Sequence, residues 1–470
     1  MMKDRTARLE PLGRPLVRLA LVVVIGGVAP LLDTTIVNVA LHALGAQFHS
    51  PATSVQWVVT AYLLALGITI PLTTWATARF GAKRLWVAGL VVFLIGSGLS
   101  GLAWNLGGLI AFRALQGMGA GIIQPVLQTI LVRAAGPAKT GRVLTIVTSV
   151  SLIAPVAGPL VGGLIVTDAS WRWVFAVNIP LCLVAILLAA RVVPGEKSNR
   201  QAGLDVPGFL LIAAGTVALL FALGNATSNR ADAVGTFYLP LGAGLVLIAG
   251  FITWSLCRGG RALIPLRMFT DRTFAGASGA LFFSGLSLYG GLFLIPLYFQ
   301  AERGLGALAS GTILALQGIG SLLTRWVGGI VDRVGARTII VTGIAICAAA
   351  TIPFALAGPH TSYLLLAATL VVRGGALSAA NIAITAGAFS RLSRAKVPAG
   401  SAVIRLLQQL GGSAGTALLA ALLTAGFGAA FTWSIALTAL AIIPALLMPG
   451  TGAPKDDHAR HNSRDAEFSG

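Results

Sequence analysis

Acidic side chains are the scarcest feature of this chain: 14 Asp and Glu face 33 Lys and Arg in 470 residues, and charged residues of both signs make up only 10%. A soluble domain carries about 25%, so a water-facing globule is excluded. Cysteine is nearly absent. Cys182, Cys257 and Cys347 are odd in number, lie in or beside apolar runs and have no metal-ligand spacing; a disulfide framework and a zinc site are excluded, and free thiols are expected. There are five histidines. His42, His49 and His360 fall in loops, His458 and His461 in a polar tail, and no nucleophile–base pair or metal spacing joins them. No polar stretch is long enough to hold a soluble active site. The reading is therefore not an enzyme, with no cofactor and no metal. The net charge of +19 does not indicate nucleic acid, because the basic residues are scattered through short loops instead of forming one patch.

What the chain has is apolar length. Hydrophobic residues are 56% of it, and mean hydropathy is +0.88. A membrane span needs roughly 20 apolar residues. Runs of that kind fall near 17–41, 55–77, 85–104, 107–132, 142–167, 173–193, 206–224, 235–256, 274–300, 308–330, 337–358, 361–389, 399–427 and 430–449. The first is too long for a signal peptide and has no small-residue cleavage site, so it is read as an uncleaved span. Alternate loops carry nearly all the basic residues; the intervening ones hold only Arg172, Arg230 and Arg303. Positive charge marks the cytoplasmic side, which puts both termini there. Arg113, Arg325, Arg373 and Arg405 remain inside spans.

The chain repeats itself. Arg79-Phe80-Gly81 after the second run matches Arg333-Val334-Gly335 after the tenth, and Arg113 in the fourth matches Arg373 in the twelfth, 260 residues on. Gly158 to Gly163 has a counterpart at Gly411 to Gly415. The expected fold is an all-α polytopic membrane protein of 14 transmembrane helices: two six-helix pseudo-repeats with two helices inserted between them. The corresponding division is a cytoplasmic segment 1–16, a bundle 17–193, an inserted pair with its loops 194–273, a second bundle 274–449 and a cytoplasmic tail 450–470. Such repeats suit alternating access around a midplane site.

Asp33 is the candidate centre. It is the one acid inside the runs and away from their ends, and a carboxylate in a bilayer costs roughly 3 kcal/mol on insertion scales. It lies about 12 Å below the outer end of its helix, and Arg113 about 9 Å below the same surface. Apolar surroundings disfavour the charge on Asp33 and a guanidinium favours it, so the pair is a candidate proton-coupling element; a permanent structural ion pair is the plainer alternative. Arg113, Gly117, Ala120, Gln124 and Gln128 form one stripe at 100° per residue. Gln124 and Gln128, with Tyr289 and Gln317 from the second half, are candidate substrate-binding residues. Tyr289, 256 residues after Asp33, falls nearly at its equivalent place. Asn38 lies on another face and is read as packing. Gly158 and Pro159, in a stretch rich in proline and glycine, suggest a bent helix at a sliding seam. Arg79, Gly81, Asp332, Arg333 and Gly335 are candidate gating residues in the matched basic turns.

The motifs Asp33 to Leu41 (DTTIVNVAL), Leu109 to Gly121 (LIAFRALQGMGAG), Gly158 to Gly163 (GPLVGG) and Trp171 to Phe175 with Asn178-Ile179-Pro180 resemble the fourteen-helix drug:proton antiporters of the major facilitator superfamily. The resemblance implies a proton-driven exporter of lipophilic, cationic or amphipathic compounds in the cytoplasmic membrane, using Asp33 and Arg113. Its partners would be a small-molecule substrate, protons and the lipid bilayer; a monomer is expected. An exporter of an endogenous solute or cell-envelope lipid on the same fold is the alternative. One departure stands out. The superfamily's first gate loop carries Gly four residues before Asp, whereas Thr74 and Ala78 occupy those places here; the second copy, Gly328 with Asp332, is intact.

Overall fold

In the computed structural model the described residues are 13–195, 203–226, 233–259, 262–264, 266–324, 334–358, 360–389 and 397–448, with the side chains of 136–152 and 397–399 left aside. Twelve helices are long and apolar enough to span: α1 (Arg14–Gln47), α2 (Ala52–Thr69), α3 (Ala82–Gly101), α4 (Leu106–Ala135), α6 (Arg172–Val192), α7 (Val206–Gly224), α8 (Val234–Arg258), α9 (Arg272–Glu302), α11 (Ala336–Ala355), α12 (Tyr363–Phe389), α13 (Gly400–Ala425) and α14 (Phe427–Ala445). Two shorter apolar helices, α5 (Ile153–Asp168) and α10 (Ala307–Leu323), fill the remaining places in the order. The expected set of fourteen is thus present.

One junction differs from expectation. The hydrogen-bonded run is unbroken from Leu106 to Asp168, with no loop between α4 and α5. Arg113 and Gly158 nevertheless both touch residues 33–35 of α1, though 45 residues of straight helix would hold them about 68 Å apart. The run therefore turns back on itself between the two spans.

The sequence repeat is a repeat of packing. Gly81 (φ 84°) and Gly335 (φ 91°) each lead into the next helix in the left-handed region, where a residue with a Cβ is strained. Gly117 of α4 lies against the Tyr62 carbonyl of α2, and Gly374 of α12 against the Gln317 carbonyl of α10. Small residues at these points let backbones meet without side chains between them, the usual basis of helix association in lipid.

The halves meet along two seams. In the first, α5 crosses α10: Gly311 packs on Pro159, Gly318 on Pro155, and the Leu308 amide donates to Thr167 Oγ1 at 3.2 Å. In the second, α2 meets α13, with Thr60 Oγ1 and Thr416 Oγ1 2.7 Å apart. Gln300 of α9 also donates to the Val39 carbonyl of α1 at 3.0 Å. Helix α7 covers the α2–α13 seam through the cluster Leu64, Leu220 and Ala414. Its N-cap, Asp205, accepts from the Gly208 amide at 3.2 Å, Trp254 Nε1 at 2.9 Å and the Leu263 amide at 2.9 Å, tying α7 to the end of α8.

Candidate functional site

Two adjoining features make up the site: a sealed polar cluster around Asp33 and an open cavity between the halves.

Asp33 is 0% and Arg113 1% exposed. Arg113 Nη1 donates to Asp33 Oδ2 at 2.5 Å and to Gln116 Oε1 at 2.7 Å, and Arg113 Nε donates to the Val58 carbonyl at 3.0 Å. The other carboxylate oxygen, Asp33 Oδ1, accepts from Gln116 Nε2 at 2.9 Å and Asn178 Nδ2 at 3.0 Å. Both amides also donate to Ser97 Oγ, at 3.2 and 3.0 Å, which itself donates to the Phe175 carbonyl at 2.8 Å. The Tyr62 ring stacks on the Arg113 guanidinium, 4.0 Å from centroid to carbon, and its hydroxyl donates to the Pro30 carbonyl at 3.3 Å. Residues of α4 and α6 thus bond the carboxylate of α1 directly, and Ser97 of α3 backs the two amides. A buried charge needs this degree of compensation, because an unpaired ion in a low dielectric is costly.

The expected meeting of Asp33 and Arg113 is therefore found, and the sequence reading missed three members of the cluster. Gln116 sits three residues after Arg113 and is near its helix face; at about 300° from Arg113 it lies at the edge of the stripe through Gly117 and Ala120 and was passed over. Asn178 lies about two turns into α6, and Ser97 lies between Gly96 and Gly98 of α3. Gln116 and Asn178 fall within the quoted motifs, but their partner is in another helix, so nothing along the chain ties them or Ser97 to Asp33.

The cavity, of about 420 Å³, lies between the halves. Gln124, Gln128, Tyr289 and Gln317 all line it, as the sequence suggested. Gln124 Nε2 donates to the Gly27 carbonyl at 2.9 Å, and Gln409 Nε2 donates to Tyr289 Oη at 3.2 Å. Asp33 and Arg113 are not in the lining; Pro30, Leu31, Thr34 and Thr35 of α1 are. Asn38 points away and donates to the Thr34 carbonyl at 2.7 Å, a packing contact. Gly158 sits against Thr35, where any Cβ would overlap Oγ1, and Pro159 meets Gly311, so both lie on seams between helices. Arg79 is in the last turn before Gly81. Asp332, Arg333, Gly328 and Arg325 lie outside the described residues.

The second half repeats the arginine without the acid. Arg373, 1% exposed, donates to Gln317 Oε1 at 2.8 Å, the Ser287 carbonyl at 2.7 Å and Thr351 Oγ1 at 3.3 Å, all neutral. Gly291 leaves the space its guanidinium occupies. The residue that faces Arg373 as Asp33 faces Arg113 is thus Ser287, not Tyr289; Tyr289, two residues on, lies on the other side of the helix and faces the cavity. The correction follows from helix geometry, because two residues turn the side chain by 200°.

Among the described residues, twelve helices long enough to span and two shorter apolar ones, with a sealed charge cluster and a cavity between the halves, fit a membrane transporter and not an enzyme. The chain matches the model of the Major Facilitator Superfamily over residues 23–416 and belongs to that superfamily. It is 34% identical over 441 residues to the multidrug resistance protein B homolog of Mycobacterium tuberculosis, covering 90% of this chain and 82% of that one. It is 26% identical over 402 residues to the multidrug transporter protein MdtP of Bacillus subtilis, covering 84% and 73%. Among solved structures, a D-xylose–proton symporter superposes with a TM-score of 0.68 at 15% identity over 92% of this chain and 98% of that one, a likeness of fold alone.

Proposed function

We propose that this protein is a proton-driven exporter of lipophilic amphipathic compounds that works by alternating access, with residues 17–193 and 274–449 as the two moving units. The observation that carries the reading is Asp33: a fully buried carboxylate held by Arg113, Gln116 and Asn178, one helix turn from a cavity large enough for a drug-sized molecule. The relatives named for multidrug resistance support the direction and the cargo.

The cluster works as a switch between charged and neutral hydrogen bonding. While Asp33 is ionised, its bonds to Arg113 and the two amides lock α1, α4 and α6 together, with α3 joined through Ser97. A proton delivered to the carboxyl cancels the charge, and the charge-assisted bond from Arg113 falls to roughly half its strength. The guanidinium then rests on the Val58 carbonyl, Gln116 and the face of Tyr62. The neighbouring Thr34 and Thr35 belong both to the cavity wall and to the crossing of α1 with α5, so a shift of α1 reaches cargo and seam together. The positive-inside pattern makes the end near Arg79 cytoplasmic. The contacts at Thr167–Leu308 and Gln300–Val39 then close the outer end, and the cavity is nearer the cytoplasm.

The test is uptake of a fluorescent amphipath into proteoliposomes under an imposed pH gradient. Gradient-driven uptake by the wild type, lost in Asp33→Asn, is the expected result. Equal gradient-driven uptake by both rejects the coupling role.

A further inference from the structure

Resting on the export reading, we infer that the cavity selects amphipathic organic anions, and that Arg405 of α13 is the residue that holds the anionic group. Among the described residues the lining contains no Asp or Glu, and its one formal charge is Arg405.

Three intramembrane arginines can be compared. Arg113 has Asp33 and Arg373 has Gln317, the Ser287 carbonyl and Thr351. Both are sealed from solvent, at 1% exposure. Arg405 is only half-buried and, among the described residues, has no ion pair or hydrogen bond. The polar residues that share the wall with it, among them Asn381, Gln408, Gln409 and Tyr289, are neutral. A guanidinium retained inside the membrane faces the bundle interior or a water-filled cavity and marks a substrate or ion pathway. Its planar fork suits a carboxylate, which it can bind through two parallel hydrogen bonds.

The rest of the lining fits the remainder of such a molecule. Leu66, Ile70, Leu288, Leu292 and Leu314 supply an apolar wall, and a cavity with a few convergent polar groups fixes orientation while apolar surface gives affinity. The helix that holds Arg405 begins at Val397, eight residues or about 12 Å before it along the axis, so Arg405 is nearer the Arg79 side of the cavity and meets cargo from that side first. A cation would meet the same charge as repulsion, with no carboxylate in the wall to offset it. The family resemblance alone pointed to cationic or amphipathic cargo; the lining favours the anion.

The experiment uses the full chain reconstituted in proteoliposomes and three probes on one naphthalene skeleton: a carboxylate, its primary amide and a trimethylammonium analogue. Each competes for uptake of a neutral fluorescent amphipath, and direct binding is read in parallel by tryptophan fluorescence. The wild type should bind the carboxylate at least tenfold more tightly than the amide, and the ammonium more weakly than the amide. In Arg405→Gln the carboxylate-to-amide ratio should fall to about one. Arg405→Lys should keep part of it, as charge without the fork. Equal binding of carboxylate and ammonium by the wild type overturns the inference, as does an unchanged ratio in Arg405→Gln. Should Arg405→Gln fail to fold, the wild-type ranking and Arg405→Lys still decide. The binding ranking needs no gradient, so failure of gradient-driven uptake rejects the export reading separately.

Discussion

Replacing Asp33 by Asn keeps the shape of the side chain and removes its charge. In the wild type the carboxylate accepts three hydrogen bonds, from Arg113, Gln116 and Asn178. Asn has one acceptor oxygen and puts an NH2 group where the second oxygen was. One set of donors then faces another donor, and the Arg113 guanidinium is left without its counter-charge at 1% exposure. Removing one partner of a buried pair typically costs about 3–5 kcal/mol. The shared oxygen of Asn, with Val58 and Tyr62 still holding Arg113, puts the expected loss near the lower end, about 3 kcal/mol. Asp33→Asn should therefore fold with a lowered thermal unfolding midpoint, and adding Arg113→Gln should recover most of the loss by removing the orphaned charge. Coupling should behave differently. The single variant and the double variant should both exchange cargo across the membrane down its own gradient, and neither should concentrate it against one. The assays are thermal unfolding in detergent and paired counterflow and gradient-driven uptake in proteoliposomes. Gradient-driven uptake restored in the double variant would refute the reasoning, because stability and not titration would then be what Asp33 provides.

Other outcomes follow from single contacts. Gly158→Ala drives a Cβ into Thr35 Oγ1 and should slow transport at least tenfold, with partial recovery when Thr35→Gly is added; no effect on the rate of either variant would remove the α1–α5 crossing from the cycle. Burial pushes the Asp205 carboxyl up, but hydrogen bonds from Trp254, the Leu263 amide and the Gly208 amide, with Arg258 nearby, outweigh it and hold it below the usual carboxylate range. A depressed folded value means the stabilisation is complete above the unfolded pKa of about 4 and is lost as pH falls through the folded value. Asp205→Ala should lose about 0.5–2 kcal/mol at neutral pH, and its thermal midpoint should converge on that of the wild type in strong acid. Cys182 and Cys347 are buried and Cys257 is exposed, so a lipid-soluble maleimide should label Cys257 alone in the native protein, as read by mass spectrometry.

The fold was legible because lipid imposes it. Every backbone group must be satisfied inside the bilayer, so long apolar runs become helices, and loop charge orders them. Asp33 and Arg113 could be matched in depth because a helix rises a fixed 1.5 Å per residue. The limits were equally physical. Gln116, Asn178 and Ser97 contribute through partners in other helices, and a sequence carries no direct record of which faces meet. Ser287 was hidden by a repeat offset that varies by several residues between motifs, enough to swap one helix face for another. Arg405 was visible as a charge in a span, but only the packing of α13 against α2 and α9 shows that it faces the cavity. The join of α4 to α5 was read as a basic loop because Arg133, Lys139 and Arg142 mark a cytoplasmic turn whether or not the backbone stays helical through it.

If the proposed coupling holds, the asymmetry of the halves sets the energetics of the cycle. Among the described residues Asp33 is the one buried carboxylate within the spans, and its counterpart position holds Ser287 beside an arginine with neutral partners. Under the proposed coupling, a single titrating acid predicts one proton per cargo. One pH unit then supplies about 1.4 kcal/mol, a tenfold accumulation limit, whatever the charge of the cargo. The membrane potential separates the cases at about 2.3 kcal/mol per charge per 100 mV, roughly 50-fold. Inward movement of a proton with outward movement of an anion carries two charges in one sense, so 100 mV should raise the limit by that factor twice over. A neutral compound should gain it once, and a monovalent cation not at all. Measured in proteoliposomes with pH and potential clamped independently, the three naphthalene probes should show one common slope against pH and three slopes against voltage. A hundredfold change per pH unit would mean two protons, and a second titrating group would then have to exist outside the Asp33 cluster.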